Sequence, residues 1–287
     1  MSMFARKIDF VLFIYVCMAN PNGDPQTENR PRINMDGFGE ISAECIRRKI
    51  RNRMQDLGYP IFVQSEDRCD DGFSSLAARA NAKMKGFVDR DVYAREACKT
   101  WLDVRSFGQV FAFKGKGKNK DEKGVSIPVR GPVTVRQAVS VNPVEIESMQ
   151  ITKSVNSEDV AGGGRSSDTM GMRHFVRSGL YKVSGAITVQ LAEKTGFTEE
   201  DAAVIKECLR TLFVNDASAA RPEGSMEVVK LYWFEHSCKL GDYASAKVHR
   251  SVEAHLKDGV ETPASLEDFV ITHTPLEGLE PEILDGV

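Results

Sequence analysis

Residues 8–18, Ile-Asp-Phe-Val-Leu-Phe-Ile-Tyr-Val-Cys-Met, form a nearly unbroken apolar run rich in β-branched and aromatic side chains. A run of this length and composition predicts a buried central β-strand. The chain leaves this strand through Asn20-Pro21-Asn22-Gly23-Asp24-Pro25 and Asn29-Arg30-Pro31-Arg32. Ser42 is then placed to cap a helix running to about Leu57, with Glu44 in its first turn and Gly58 at its end. Ile46, Ile50, Met54 and Leu57 supply the buried stripe of that helix. Arg47 and Arg51 lie one turn apart on a single face beside it.

Further along, Leu76–Lys85 and Tyr93–Leu102 read as helices, and Phe107–Phe113 is apolar. Lys114–Gly124 reads as a flexible charged loop. Val125–Val141 alternates as strand, broken at Gly131-Pro132. Residues 143–178, with Gly162-Gly163-Gly164-Arg165-Ser166-Ser167 inside them, read as a long hairpin or loop. Val183–Leu191 reads as strand. Thr198-Glu199-Glu200-Asp201 reads as a capping box opening a helix to about Val214, and Val228–Phe234 is the last clear strand. Without the insertions the order is β-α-β-β-α-β, an α+β chain of ferredoxin-like, RRM-type organisation. Sheets of that type commonly bind single-stranded RNA.

Charge sharpens the expectation. From residue 250 onward there are 2 Lys/Arg against 9 Asp/Glu, which leaves 36 against 32 in the rest of a chain whose net charge is −3. An acidic C-terminal segment thus masks a mildly basic body, and binding a polyanion on one face needs only the local excess. Arg30, Arg32, Arg47, Arg48 and Arg51 are the candidates, because guanidinium forks match phosphate geometry. Pro25 and Pro31 stiffen their approach and reduce the entropy lost on binding. Lys153, Arg165 and Arg173 around the glycine run would add phosphate contacts from a segment that orders on RNA.

Other chemistry has less support. Asp24 and Asp36 could serve a hard metal ion in phosphodiester cleavage, but Asp24 sits in a turn sequence and no second acidic motif or His-rich set accompanies it. No cofactor is expected, and no catalytic residues. The glycine run lacks the Lys and the register of a P-loop. The five histidines show no ligand spacing, and none of the six cysteines forms a C-x-x-C pair. Tyr232-Trp233-Phe234 could stack bases, although such a triplet in a strand is more often core. With no apolar run of bilayer length and no signal-peptide pattern, a cytoplasmic protein is expected.

The Asn20–Pro25 and Asn29–Arg32 motifs, Ile46-Arg47-Arg48-Lys49-Ile50-Arg51-Asn52, Asp103-Val104-Arg105-Ser106-Phe107-Gly108-Gln109-Val110-Phe111 and Gly131-Pro132-Val133 together resemble the backbone (RAMP-superfamily) subunit of type I CRISPR Cascade complexes, closest to type I-C. The resemblance is strong over about the first 145 residues. It implies an RRM-like palm (1–58, 125–144 and 179–240), a finger-like insertion (59–124), a thumb loop or hairpin (145–178) and the acidic segment 241–287. It implies a non-catalytic subunit that stacks in helical copies of itself along a CRISPR guide RNA. There it would present the guide to target DNA beside other Cascade subunits. Ser42, Arg47 and Arg51 would hold the guide backbone, with Arg30 and Arg32 nearby. Arg48 and Gln109, inside the matched motifs, join the RNA-binding set. Type III relatives carry a target-cleaving aspartate on the loop after the first strand, so metal-dependent RNA cleavage through Asp24 or Asp36 is the alternative. A guide-processing nuclease is a third possibility, for which no general-base constellation is present.

Overall fold

The computed structural model describes residues 2–84, 89–113, 125–152, 154 and 170–287. Its centre is β1 (Ile8–Ala19), and the buried central strand expected from the sequence is what forms there. Phe10, Leu12, Ile14 and Val16 enter one apolar cluster, while Val11, Phe13 and Tyr15 enter another on the opposite face. From Ile8 to Val16 neither face meets solvent.

After β1 come the short pair β2 (Gly23–Asp24) and β3 (Arg30–Pro31), the strand β4 (Phe38–Ile41) and helix α1 (Ala43–Asp56). Ile46, Ile50 and Met54 of α1 are fully buried, each contributing roughly 1.5–3 kcal/mol of apolar transfer. Leu57, expected in the same stripe, is 40% exposed because the helix has ended at Asp56.

Residues 59–113 carry α2 (Leu76–Lys83), α3 (Arg90–Thr100), α4 (Leu102–Phe107) and β5 (Gly108–Phe113), which pairs with β6 (Val125–Arg130). They have an apolar cluster of their own, centred on Phe62, Trp101 and Phe111 with ring centroids 4.7 and 5.0 Å from Phe62. The expected loop at 114–124 lies outside the described residues.

The chain continues through β7 (Val133–Val135), β8 (Ala138–Pro143), β9 (Ile146–Thr152) and β10 (Met170–Ile187). The expected strand Val183–Leu191 is corrected at both ends. It begins at Met170, and Val189–Thr195 forms helix α5 instead. Period-2 alternation fails as a guide in β10 because residues 178–181 are buried on both faces. The strand's first half, Met170–Val176, pairs with β9, and its second half joins the central sheet.

Helix α6 (Glu199–Arg210) starts at the expected capping box, with both reciprocal bonds between Thr198 and Asp201 formed. β11 (Met226–Glu235), α7 (Ser245–Arg250), β12 (Val252–Leu256), β13 (Phe269–His273) and β14 (Glu282–Asp285) complete the chain. The main sheet runs β14-β11-β1-β10-β8-β4 with antiparallel neighbours throughout. Helices α1 and α6 cover one face. The acidic C-terminal segment covers the other, through Val248, Val252, Phe269, Leu276 and Leu279. That segment is a structural layer of the fold. No described helix is long and apolar enough to cross a membrane.

Gly39 fixes how β4 meets the sheet. A Cβ there would lie 2.2 Å from the buried Tyr181 hydroxyl oxygen, and the Gly39 N–H donates to Ser140 Oγ at 2.8 Å. Gly39→Ala is expected to destabilise the protein by about 1–3 kcal/mol through overpacking, measured as a lower urea midpoint. An unchanged midpoint would show that β4 can shift without cost.

Candidate nucleic-acid interface

Four residues of the Asn20–Pro25 motif, Asn20, Asn22, Gly23 and Asp24, have a local job. Asn20 Nδ2 donates to the Asn29 carbonyl at 2.6 Å, and Asn22 Oδ1 accepts the Ser42 N–H at 2.9 Å. Gly23 allows the close approach of Asn29, whose side-chain oxygen would be 2.0 Å from a Cβ. Asp24 accepts the Gln26 N–H on its carboxylate at 3.1 Å and the Asn29 N–H on its carbonyl at 2.9 Å. Glu28 and Asn29 complete the turn with φ of +54° and +58°. The loop is therefore clasped to itself and to the start of α1, where Ser42 Oγ accepts the Cys45 N–H.

The arginines expected to grip phosphate separate into two groups. Arg30 is exposed with no ion pair among the described residues. Arg32 is half-exposed and 3.5 Å from Asp24. Arg47 pairs with Glu44 at 2.6 Å, but Glu44 is 77% exposed. Such surface pairs contribute little, so a ligand phosphate can compete for these guanidinium groups.

Arg48 and Arg51, expected in the same set, both turn inward. Arg48 donates to the Val63 carbonyl, and burial pushes its guanidinium below its ordinary pKa. Arg51, only 12% exposed, donates to Asp103 at 2.9 Å and lies 5.0 Å from the Phe107 ring centre. Asp103 also accepts the Phe62 and Val63 N–H groups at 2.6 and 3.1 Å. These two arginines tie α1 to the 59–113 module. Lys49 is likewise buried against Asp216, and burial lowers its pKa. Arg53 donates to Thr211 and Asp56.

Arg221 joins the site although its sequence surroundings carry no motif. It is 3.4 Å from Asp216, and the Asn20 N–H donates to the Ala220 carbonyl beside it at 2.9 Å. Burial raises the Cys45 thiol pKa while Lys49, Arg221 and Arg32 act to lower it, so these cations converge at the base of α1. Only the folded chain brings residues 32, 45, 49 and 221 together.

Gln109 is half-buried at the start of β5, with its amide nitrogen donating to the Val110 carbonyl at 3.1 Å. Arg173 lies on the outer part of β10, 5.9 Å over the Phe175 ring. Lys153, Arg165 and the glycine run lie outside the described residues. Asp36 is exposed in a turn formed by Asn34. Among the described residues no group of three or more His, Cys, Asp or Glu is placed to hold a metal ion. Tyr232, Trp233 and Phe234 are all buried, with Trp233 stacked on Phe10 at 5.9 Å, and so belong to the core.

The family described as "CRISPR-associated protein Cas7" matches residues 6–274. This chain belongs to the Cas7 family. A Cas7 relative from Haloferax volcanii, "CRISPR-associated protein Cas7", is 27% identical over 292 aligned positions, covering 90% of this chain and 82% of the relative. Two solved structures are also similar. One, titled "CRISPR RNA-guided surveillance complex", has a TM-score of 0.48 at 16% identity over 89% of this chain and 78% of that one. The other, "CRISPR RNA-guided surveillance complex, pre-nicking", has 0.47 at 13% over 79% and 78%. The Cas7 match includes the clasped loop, α1 and Arg221, and it extends through the last residue of β13.

Proposed function

We propose that this Cas7-family chain is the non-catalytic backbone subunit of a CRISPR RNA-guided surveillance complex of the type I-C form, holding the guide RNA and presenting it to target DNA. The observation that carries this reading is the solvent-facing set Arg30, Arg32 and Arg47, mounted on a loop locked to the capped start of α1. Such contacts fix register without reading sequence, which is delegated to base pairing.

In this reading β11-β1-β10-β8 with α1 and α6 is the RRM-like palm, spanning 1–58, 125–144 and 179–240. Residues 59–124 are the finger and 145–178 the thumb. Ser42, Arg221, Gln109 and Arg173 extend the guide contact, together with Lys153 and Arg165. Arg48 and Arg51 act as positioning residues. Copies stack head to tail along the guide without closing a ring, so guide length limits the filament. The complex works in the cytoplasm with other Cascade subunits. Asp24 shapes the loop and pairs with Arg32, and complementary RNA with Mg²⁺ is expected to stay intact.

The test is the RNA that co-purifies. The triple variant R30E/R32E/R47E is expected to retain at least about tenfold less uniform small RNA, because each lost phosphate contact weakens binding. Undiminished RNA, measured by absorbance ratio and sequencing, would defeat the assignment. Regularly spaced cuts in complementary RNA that vanish in Asp24→Ala would replace it with the cleaving alternative.

A further inference from the structure

The face of the sheet away from α1 contains a cavity of about 640 Å³ between β8, β10, α7 and β12. Its position follows from register. Lys182 of β10 stands opposite Phe13 of β1, and Phe13 belongs to the cluster under the C-terminal segment, not to the one under α1. The cavity is thus roofed by the segment whose overall composition is acidic, yet the charged side chains lining it are mainly basic.

Arg136, Lys182 and Arg250 line the cavity against a single carboxylate, Glu253. They come from three separate elements: the β7–β8 turn, the middle of β10 and the end of α7. Arg136 and Arg250 are exposed and have no ion pair or side-chain hydrogen bond among the described residues. Lys182 is half-buried, and its ammonium donates to the His249 carbonyl at 2.8 Å. Burial lowers the Lys182 pKa; Glu253 acts to raise it and Arg136 to lower it, so these charged groups sense one another across the cavity. His249, the remaining titratable group in the wall, is turned away, with Nε2 hydrogen-bonded to the Gly185 carbonyl at 2.9 Å. Val139, Val141 and Ala254 give the cavity apolar patches.

We propose that this cavity binds the phosphodiester backbone of a single-stranded nucleic acid other than the strand held at α1. Two unpaired guanidinium forks and one ammonium exceed what one carboxylate can neutralise, and Glu253 already supplies a carboxylate. Successive phosphates of one strand can reach cations from separate elements, and the volume lies in the range of small-ligand sites. The apolar patches suit the sugar and base faces between phosphates. The site goes beyond the guide reading and depends on it only in calling the strand a second one.

The test uses the complex purified with whatever RNA it carries. Labelled oligothymidine and oligouridine, neither complementary to that RNA, are titrated by fluorescence anisotropy across a salt series. The R136E/R250E variant is expected to bind at least one of them about tenfold more weakly. For the charge-neutral R136Q/R250Q, the slope of log affinity against log salt should become shallower by about 1.4, the value for two single-strand phosphate contacts. Retained RNA, multimer size and melting temperature should match the unaltered complex. The arm that responds, thymidine or uridine, tells whether the strand is DNA or RNA. Unchanged affinity and slope in both arms would overturn the proposal. So would a loss of retained RNA, which would place the cavity on the guide path, or a loss of multimer at unchanged oligonucleotide affinity, which would make it a protein contact. Failure of the guide reading shows separately, as an unaltered complex that carries no uniform RNA.

Discussion

Asp103→Ala is expected to destabilise the protein by about 3–5 kcal/mol, the range for removing one partner of a buried ion pair. The Asp103 side chain is 1% exposed and receives three hydrogen bonds, from Arg51 Nε and from the Phe62 and Val63 N–H groups. Truncation strands all three donors, one of them charged, in a largely buried region. It also releases the peptide that sets Phe62 against Trp101 and Phe111, so the 59–113 module loosens with the loss of its anchor to α1. Thermal unfolding should show a fall of roughly 10 °C. The double variant D103A/R51M should recover part of that loss, because no unpaired charge remains buried. If the double variant were as damaged as D103A alone, the unpaired Arg51 would not be the cause.

Asp9→Asn is expected to cost about 3 kcal/mol at neutral pH, again by breaking a buried charged set. Asp9 is fully buried inside β1. Its carboxylate accepts from His236 Nε2 at 2.8 Å, lies 2.9 Å from the Lys7 ammonium and 3.3 Å from His249 Nε2. His236 Nδ1 already accepts the Asp242 N–H at 2.9 Å, so Nε2 must carry the proton and needs an acceptor. His236 and Lys7 share Oδ2, so an asparagine can offer its oxygen to them only by placing its amide donors at the Oδ1 position, 3.3 Å from His249 Nε2, which itself donates to the Gly185 carbonyl. Burial works to raise the Asp9 carboxyl pKa, and the hydrogen bonds from His236, His249 and Lys7 outweigh it, holding the group below the usual carboxylate range. A carboxyl lowered in the folded state stabilises the fold above its unfolded pKa, near 3.9, and that contribution declines as pH falls toward the folded value. The gap between wild type and D9N in urea unfolding should therefore be constant from about pH 7 to pH 5. Below about pH 4 it should narrow by up to about 1.4 kcal/mol per pH unit. A gap independent of pH down to about pH 3 would rule out Asp9 ionisation as its source.

Much of the fold was legible because it depends on local pattern. The unbroken apolar run of β1 requires a buried central strand, Ser42 and the Ile46-Ile50-Met54 spacing require a capped amphipathic α1, and Thr198 with Asp201 requires a helix start. The start of β10 was hidden, since a strand buried on both faces over part of its length and exposed in a two-stranded arm elsewhere has no constant period. The C-terminal layer was hidden for another reason. Its apolar contacts come from scattered residues such as Val248, Phe269 and Leu279, within a composition that reads as acidic and solvated.

The same division applies to the site. Sequence alone determined the Pro/Gly-stiffened turn at Asn20–Pro25, the basic character of α1 and membership of a CRISPR-associated family, because turn chemistry, helical spacing and motif order are properties of neighbouring residues. Only the tertiary structure decided which cations remain free. Helical spacing places Arg47 and Arg51 on one face, yet Arg51 is taken by Asp103 and Lys49 by Asp216, partners 52 and 167 residues away, while Arg47 pairs, among the described residues, with the exposed Glu44. A charge's availability depends on what the fold brings against it, and those opposing groups come from distant parts of the chain.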